Sequence, residues 1–224
     1  MLMKNRHKYG SKFYNLTLKK IIKKELLSYF GRLFSKKNII PQKKYLQLGC
    51  GETDLRDNYI NCDFYNLDYF IPFKQKNIHY VDLRYPLPFK SNSFEGVFTE
   101  HTLEHLYPSE ANNLFQEIYR VLKPGYIARI IVPDLKTYIK FYNNKNFFLG
   151  RDFKTGCEAV WNITQNYEHR SLWDAEWLIY NLKENGFIFC KEYKYQQSQN
   201  SDLILDKEGR KIESIYIEAT KPKL

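Results

Sequence analysis

The sequence predicts an α/β domain built on a mostly parallel sheet, and three observations predict it. From about residue 43 onward, short apolar runs alternate with segments of helical period. The first run ends in a glycine-rich turn, and each of the next two carries an aspartate near its end. The chain has 224 residues, 43% of them hydrophobic, which is enough for one sizeable core, and it shows no internal repeat.

Residues 1–15 are polar and basic. Residues 16–34, "LTLKKIIKKELLSYFGRLF", read as an amphipathic helix, with Leu18, Ile21, Ile22, Leu26, Tyr29, Phe30 and Leu33 at helical spacing and lysines opposite. "KKYLQLGCG" is the first strand and its turn. "YINCDF" (59–64), "IHYVDL" (78–83) and "SFEGVFTE" (93–100) are the next three strands. "PSEANNLFQEIYRVL" (108–122) reads as a helix opened by Pro108 and Ser109, with Leu114, Ile118, Val121 and Leu122 on one face. "KPGYIARIIVPDL" is a turn and a strand stopped at Pro133. Residues 135–170 read as irregular and aromatic-rich. Residues 171–187 read as a helix closed at Gly186, and two strands near 187–195 and 214–220 end the chain as a hairpin. The organisation expected is a basic arm, 1–42, followed by one domain, 43–224.

The charge is unevenly placed. Residues 1–44 hold 13 Lys and Arg against one acid, Glu25, whereas the whole chain carries +10; the remainder is therefore slightly acidic. The arm fits either a helix that packs on the domain or covers its ligand cleft, or one that meets an acidic surface, an anionic membrane or RNA. Cys50, Cys62, Cys157 and Cys190 form no C-x-x-C pair. With no signal-peptide pattern and no long apolar window, the expectation is a reduced, cytoplasmic protein, peripheral at the inner membrane surface if the arm binds lipid. The sequons at Asn15 and Asn162 read as chance matches.

In an open α/β sheet, ligands bind at the carboxyl ends of the strands. Gly49 and Gly51 follow the first strand there, and glycine lets backbone N–H groups approach a ligand. Asp63 ends the second strand, where a carboxylate can accept both hydroxyls of a ribose. Asp82 ends the third, where it can accept an adenine amino group while the Leu83 amide faces the ring. Either aspartate alone could equally be a turn or cap residue; the ordered set is the specific signal.

"YLQLGCG", "INCDF", "VDLRYPLPFKSNSFEGVFTEHTLEHL" and "EIYRVLKPGYIARIIVPDL" resemble the successive motifs of class I S-adenosylmethionine-dependent methyltransferases, most closely the bacterial methyltransferase-domain group associated with surface-glycan synthesis. The resemblance spans about residues 43–190. It implies a Rossmann-like, seven-stranded, mostly parallel sheet with an antiparallel last strand and helices on both faces. It implies S-adenosylmethionine bound by Gly49, Cys50 and Gly51 at the methionine end, Asp63 and Phe64 at the ribose, and Asp82 and Leu83 at the adenine. Glu100 and His101 would line the methyl-donor side. It further implies O-methylation of a sugar, sugar nucleotide or glycan intermediate. An RNA methyltransferase using the basic arm and a catalytically silent cofactor-binding partner subunit are the alternatives. The chain departs from the pattern in lacking the third glycine. The first crossover, about eight residues, is also shorter than the usual dozen, so its helix is expected to be one turn or missing.

"HTLEH" (101–105) has the H-x-x-E-H spacing of one class of zinc peptidases. That chemistry needs a substantial helix, and Pro108 leaves little more than one turn. Two readings stand. In one, Glu104 and His105 brace the turn beneath the cleft while His101 faces the cofactor. In the other, His101, Glu104, His105 and the distant His169 bind a divalent metal, since the stretch resembles the E-x-x-E-H motif of metal-dependent O-methyltransferases. His101, His105 or His169 could serve as the base for an alcohol acceptor. Trp161, Tyr167, Trp173 and Trp177 are expected either in the core or against the acceptor.

Overall fold

A computed structural model describes residues 18–51, 56–65, 78–144 and 153–223. Its strands are β1 (Tyr45–Leu48), β2 (Tyr59–Asp63), β3 (Ile78–Tyr80), β4 (Phe94–Glu100), β5 (Leu122–Pro133), β6 (Ile188–Tyr193) and β7 (Ser214–Thr220). They form one sheet in the order β3-β2-β1-β4-β5-β7-β6. Pairing is parallel from β3 through β5, and β7 runs antiparallel to both β5 and β6. The expected seven-stranded sheet with an antiparallel last strand is what the chain forms. The order reverses between β1 and β4, which opens a crevice at their carboxyl ends.

The central strands are covered on both faces, so they read as continuous apolar runs rather than alternating ones. Leu46, Leu48, Val97, Ile130, Ile131 and Val132 are fully or almost fully buried. Helix α2 (Pro108–Val121) lays Ala111, Leu114, Phe115, Ile118 and Val121 on this core. Pro108 opens it, and Glu110 Oε2 accepts from Tyr107 N at 2.8 Å. On the opposite side Arg129 is buried between Asp206 (2.6 Å) and Glu218 (2.9 Å), which ties the polar stretch after β6 to the sheet.

The segment expected to be irregular holds two helices, α3 (Leu135–Asn143) and α4 (Gly156–Gln165). Each has an N-cap: Asp134 accepts from Lys136 N and Thr137 N, and Thr155 accepts from Glu158 N. Their inner faces meet through Tyr138, Phe141, Ala159 and Ile163. Aromatic residues scattered around both faces had obscured that period. The next helix, α5 (Ala175–Glu184), starts later than expected, because Asp174 caps it and Trp173 is extended and bridged to Asp134. Gly186 ends it at φ +86°, as expected. The expected short helix of the first crossover falls partly on residues 52–55, outside the described residues.

Helix α1 (Leu18–Phe34) forms as expected but does not pack by its apolar side. Ser28 and Gly31 are buried against the domain, while Ile22, Leu26, Tyr29 and Leu33 are exposed.

Candidate functional site

A cavity of about 590 Å³ lies at the carboxyl ends of β1, β2, β4 and β5, beneath α1. Gly49, Gly51, Asp63, Phe64, Asp82, Leu83, His101, Glu104, His105 and His169 all line it. Most residues singled out from the sequence therefore converge on one space.

At one end the backbone turns sharply after β1. Gly49 has φ +70°, and a Cβ there would lie 2.0 Å from Thr102 Oγ1, so only glycine fits. Gly49 N and Cys50 N both donate to Cys62 O, at 2.9 and 3.0 Å. Gly51, also left-handed at φ +65°, donates its N–H to the Asp63 carboxylate, which also accepts from Phe64 N at 2.6 Å. Burial pushes the Asp63 carboxyl up, and these two N–H groups oppose that shift.

Asp82 is held more tightly. It accepts from Arg84 N and Arg84 Nε at 3.0 Å, from Arg84 Nη2 at 2.7 Å and from Ser28 Oγ of α1 at 2.5 Å. Burial alone would raise this carboxyl, but the bonds from Arg84 and Ser28 outweigh it and hold the group below its ordinary value. Arg84 Nη1 also bonds Glu25 of α1 at 2.7 Å.

Two expected cofactor contacts do not line the cavity. Cys50 is buried beside Cys62, and Glu100 turns to the other side of the β4 end, where its Oε1 accepts from Lys207 N at 3.0 Å. Successive side chains of a strand point to opposite faces, and Glu100 takes the face away from the cleft.

The H-x-x-E-H stretch is a single 3-10 turn, Leu103–His105, preceded by His101 in a left-handed conformation at φ 50°. That is no zincin helix. His101 Nε2 sits 2.7 Å from Ser214 Oγ and its Nδ1 3.6 Å from Glu104 Oε1. His169, 64 positions after His105, closes on the same spot: the two rings are 5.1 Å apart, and His169 Nε2 is 4.0 Å from Glu104 Oε1. His169 Nδ1 donates to Ile163 O at 2.7 Å, which leaves Nε2 as the basic nitrogen of the neutral ring. Ligand atoms of Glu104, His105 and His169 lie within 4.8 Å of one another. His101 stands outside that group, so the expected four-residue cluster reduces to three.

Glu104 is 2% exposed, and neither carboxylate oxygen makes a hydrogen bond among the described residues. Burial pushes its carboxyl up to about 8. Burial, reinforced by the neighbouring His169, pushes His105 down to about 4. The arrangement is two imidazoles, that of His105 held neutral by burial, around a buried carboxyl whose oxygens make no hydrogen bond among the described residues.

The far wall was largely missed from sequence: Tyr138, Asn162, Glu168, Arg170, Arg210 and Glu213 line it. They come from α3, α4, the turn after α4 and the loop before β7, and α3 and α4 were not recognised as helices. Of the four aromatic residues expected either in the core or against the acceptor, Tyr167 alone lines the cavity. Trp173 is core, its Nε1 donating to Ser171 Oγ at 2.9 Å, and Trp177 stacks on Tyr180 at the surface.

Residues 46–129 match the family model described as a methyltransferase domain. No curated protein matches the chain. Solved structures do. An S-adenosylmethionine-dependent methyltransferase from Methanosarcina mazei is 18% identical with a TM-score of 0.52, over 86% of this chain and 97% of that one. Phosphoethanolamine N-methyltransferase 2 of Haemonchus contortus, solved with S-adenosyl-L-methionine, is 16% identical with a TM-score of 0.50, over 90% of this chain and 53% of that one. A Thermotoga maritima S-adenosylmethionine-dependent methyltransferase gives 15% and 0.50, over 91% and 94%. Residues 46–129 thus match a methyltransferase domain, and the chain has the fold of these S-adenosylmethionine-dependent methyltransferases.

Proposed function

We propose that the protein transfers the methyl group of S-adenosylmethionine to a hydroxyl of a sugar, sugar nucleotide or glycan intermediate. The observation that carries this is the single cavity joining the Gly49–Gly51 turn, Asp63 and Leu83 to the Glu104–His105–His169 cluster. The first set suits a nucleoside with a charged methionine tail. Asp63 would accept the ribose hydroxyls, and Leu83 would face the adenine. Asp82 would reach the adenine amino group only by exchanging its bond from Ser28, because its oxygens are already taken.

Methyl transfer is an in-line displacement on a carbon already activated by the sulfonium, so the protein chiefly aligns the two reactants. An alcohol must also lose a proton. His169 Nε2 is the base this arrangement favours, with its ring fixed by the Ile163 carbonyl, while His101 is engaged by Ser214. Tyr167, Asn162, Arg210 and Glu213 on the far wall offer an aromatic edge and several hydrogen-bonding groups, the mixture a polyhydroxylated acceptor needs.

In a second reading, in which His169 Nε2 would be a metal ligand instead of the base, Glu104, His105 and His169 form a donor set of two imidazoles and one carboxylate, which fits Mn, Fe or Zn better than Mg. The unpartnered carboxylate supports this fit, and a metal bound there would lower the pKa of the acceptor hydroxyl. The test is to incubate the protein with methyl-labelled S-adenosylmethionine and a panel of nucleotide sugars, glycans and RNA. Label in a sugar hydroxyl supports the reading. Label in RNA favours the alternative acceptor, and cofactor binding with no labelled product favours a silent subunit.

A further inference from the structure

Helix α1 is built inside out. Ile22, Leu26, Tyr29 and Leu33, at i, i+4, i+7 and i+11, form a stripe that is 51–62% exposed, with Phe30 and Phe34 beside it. The opposite stripe, Lys24, Ser28 and Gly31, faces the domain. Ser28 bonds Asp82, and Lys24 Nζ lies 2.6 Å from Glu168 Oε2, so the helix is fixed at both ends of the cavity. At Gly31 an added Cβ would meet the Tyr65 ring at 2.3 Å, so a bare backbone is needed for this approach. Arg32 stacks on Tyr85 at 3.5 Å. A surface helix of a soluble domain ordinarily buries its apolar stripe; this one is pinned by its polar side and presents the apolar stripe to solvent.

We propose that the outward face of α1 is a docking surface for an anionic lipid bilayer, formed on the helix that roofs the cavity. Charge and chemistry select this occupant. Residues 1–44 carry 13 cations against one acid, while the rest of the chain is slightly acidic, so the attraction is confined to this end. Exposed Lys19 and Lys23 flank the apolar stripe, where their stems lie along it and their ammonium groups reach lipid phosphates. Tyr29, Phe30 and Phe34 supply the aromatic surface that settles at the headgroup boundary. A nucleic acid could meet these cations too, but the aliphatic stripe of Ile22, Leu26 and Leu33 offers its phosphates neither charge nor hydrogen bond. The docking surface stands without the proposed reaction; only the description of α1 as roof of the methyl-donor cleft rests on it.

The experiment is co-sedimentation of the full chain with vesicles of phosphatidylcholine alone and of phosphatidylcholine mixed with phosphatidylglycerol. The expected result is binding to the anionic vesicles only, weakened by salt. The double variant Leu26→Glu/Leu33→Glu should lose at least about tenfold in vesicle affinity, with circular dichroism and S-adenosylmethionine binding unchanged. Lys19→Gln/Lys23→Gln, which leaves the apolar stripe intact, should also weaken binding and guards against a folding artefact. Absence of vesicle binding by the wild type overturns the proposal. So does equal binding by the glutamate variant. Salt-sensitive binding to an RNA oligonucleotide that survives Leu26→Glu/Leu33→Glu, without vesicle binding, assigns the arm to RNA. A dimer in light scattering that this variant dissolves, again without vesicle binding, assigns the face to a second copy. Loss of the cofactor reading would leave the vesicle result standing.

Discussion

Ser28 Oγ on the N-terminal helix lies 2.5 Å from Asp82 Oδ2 just beyond β3, joining residues 54 positions apart directly over the cavity. The arm and the domain therefore share a carboxylate. Burial of Asp82 is offset by Arg84 and Ser28, and the group stays below its ordinary value. A depressed carboxylate contributes stability that is fully present above its unfolded value and is lost as pH falls through the folded one. Urea unfolding of the wild type and Asp82→Asn should accordingly differ most above the ordinary aspartate range. The gap should shrink in acid. A gap independent of pH would show that the ionised form is not what latches α1.

The two glycines after β1 should respond unequally to alanine. Gly49→Ala meets Thr102 Oγ1 and a left-handed backbone together, and should cost more than about 2 kcal/mol. Gly51 faces open space, so Gly51→Ala should cost only about 1 kcal/mol from its positive φ. Urea midpoints of the two variants check the order.

His169→Ala should lower kcat at least about a hundredfold with little change in cofactor affinity, because the ring acts on the acceptor and not on the methyl donor. The matching His101→Ala change should be milder, since that ring is committed to Ser214. Steady-state kinetics with calorimetry separates the two effects. The reverse order of severity would return the base to His101.

If Glu104, His105 and His169 hold a metal, a chelator should reproduce the kcat loss of Glu104→Gln, and added Mn or Zn should restore the wild type but not the variant. Elemental analysis of the purified protein provides a readout independent of activity. Full activity in chelator, with no metal retained, leaves His169 as a base working alone.

The sheet was legible because apolar runs, turn glycines and strand-end aspartates act locally. "YINCD" announces both β2 and Asp63 in five residues. α3 and α4 were not legible. Their caps, Asp134 and Thr155, are single residues, and aromatic residues such as Tyr142 and Trp161 fall outside the buried stripe of Tyr138, Phe141, Ala159 and Ile163. Asn162 and Arg210 were missed with them. His169 was reached through the resemblance to metal-dependent O-methyltransferases. Its partnership with Glu104 depends on the bend at Tyr167 and Glu168, both left-handed, which no spacing rule encodes. The orientation of α1 was hidden too. Its apolar period suggested a buried stripe, whereas Ser28 and Gly31 decide which side meets the domain.

The central claim is that the turn at Gly49–Gly51 and the carboxylate of Asp63 bind S-adenosylmethionine. Isothermal titration of S-adenosylmethionine into the full chain tests it most directly. The account predicts saturable binding at a single site, weakened by about 1–3 kcal/mol in Asp63→Ala as the ribose hydroxyls lose their acceptor. No heat of binding to the wild type, or equal affinity in Asp63→Ala, would contradict it.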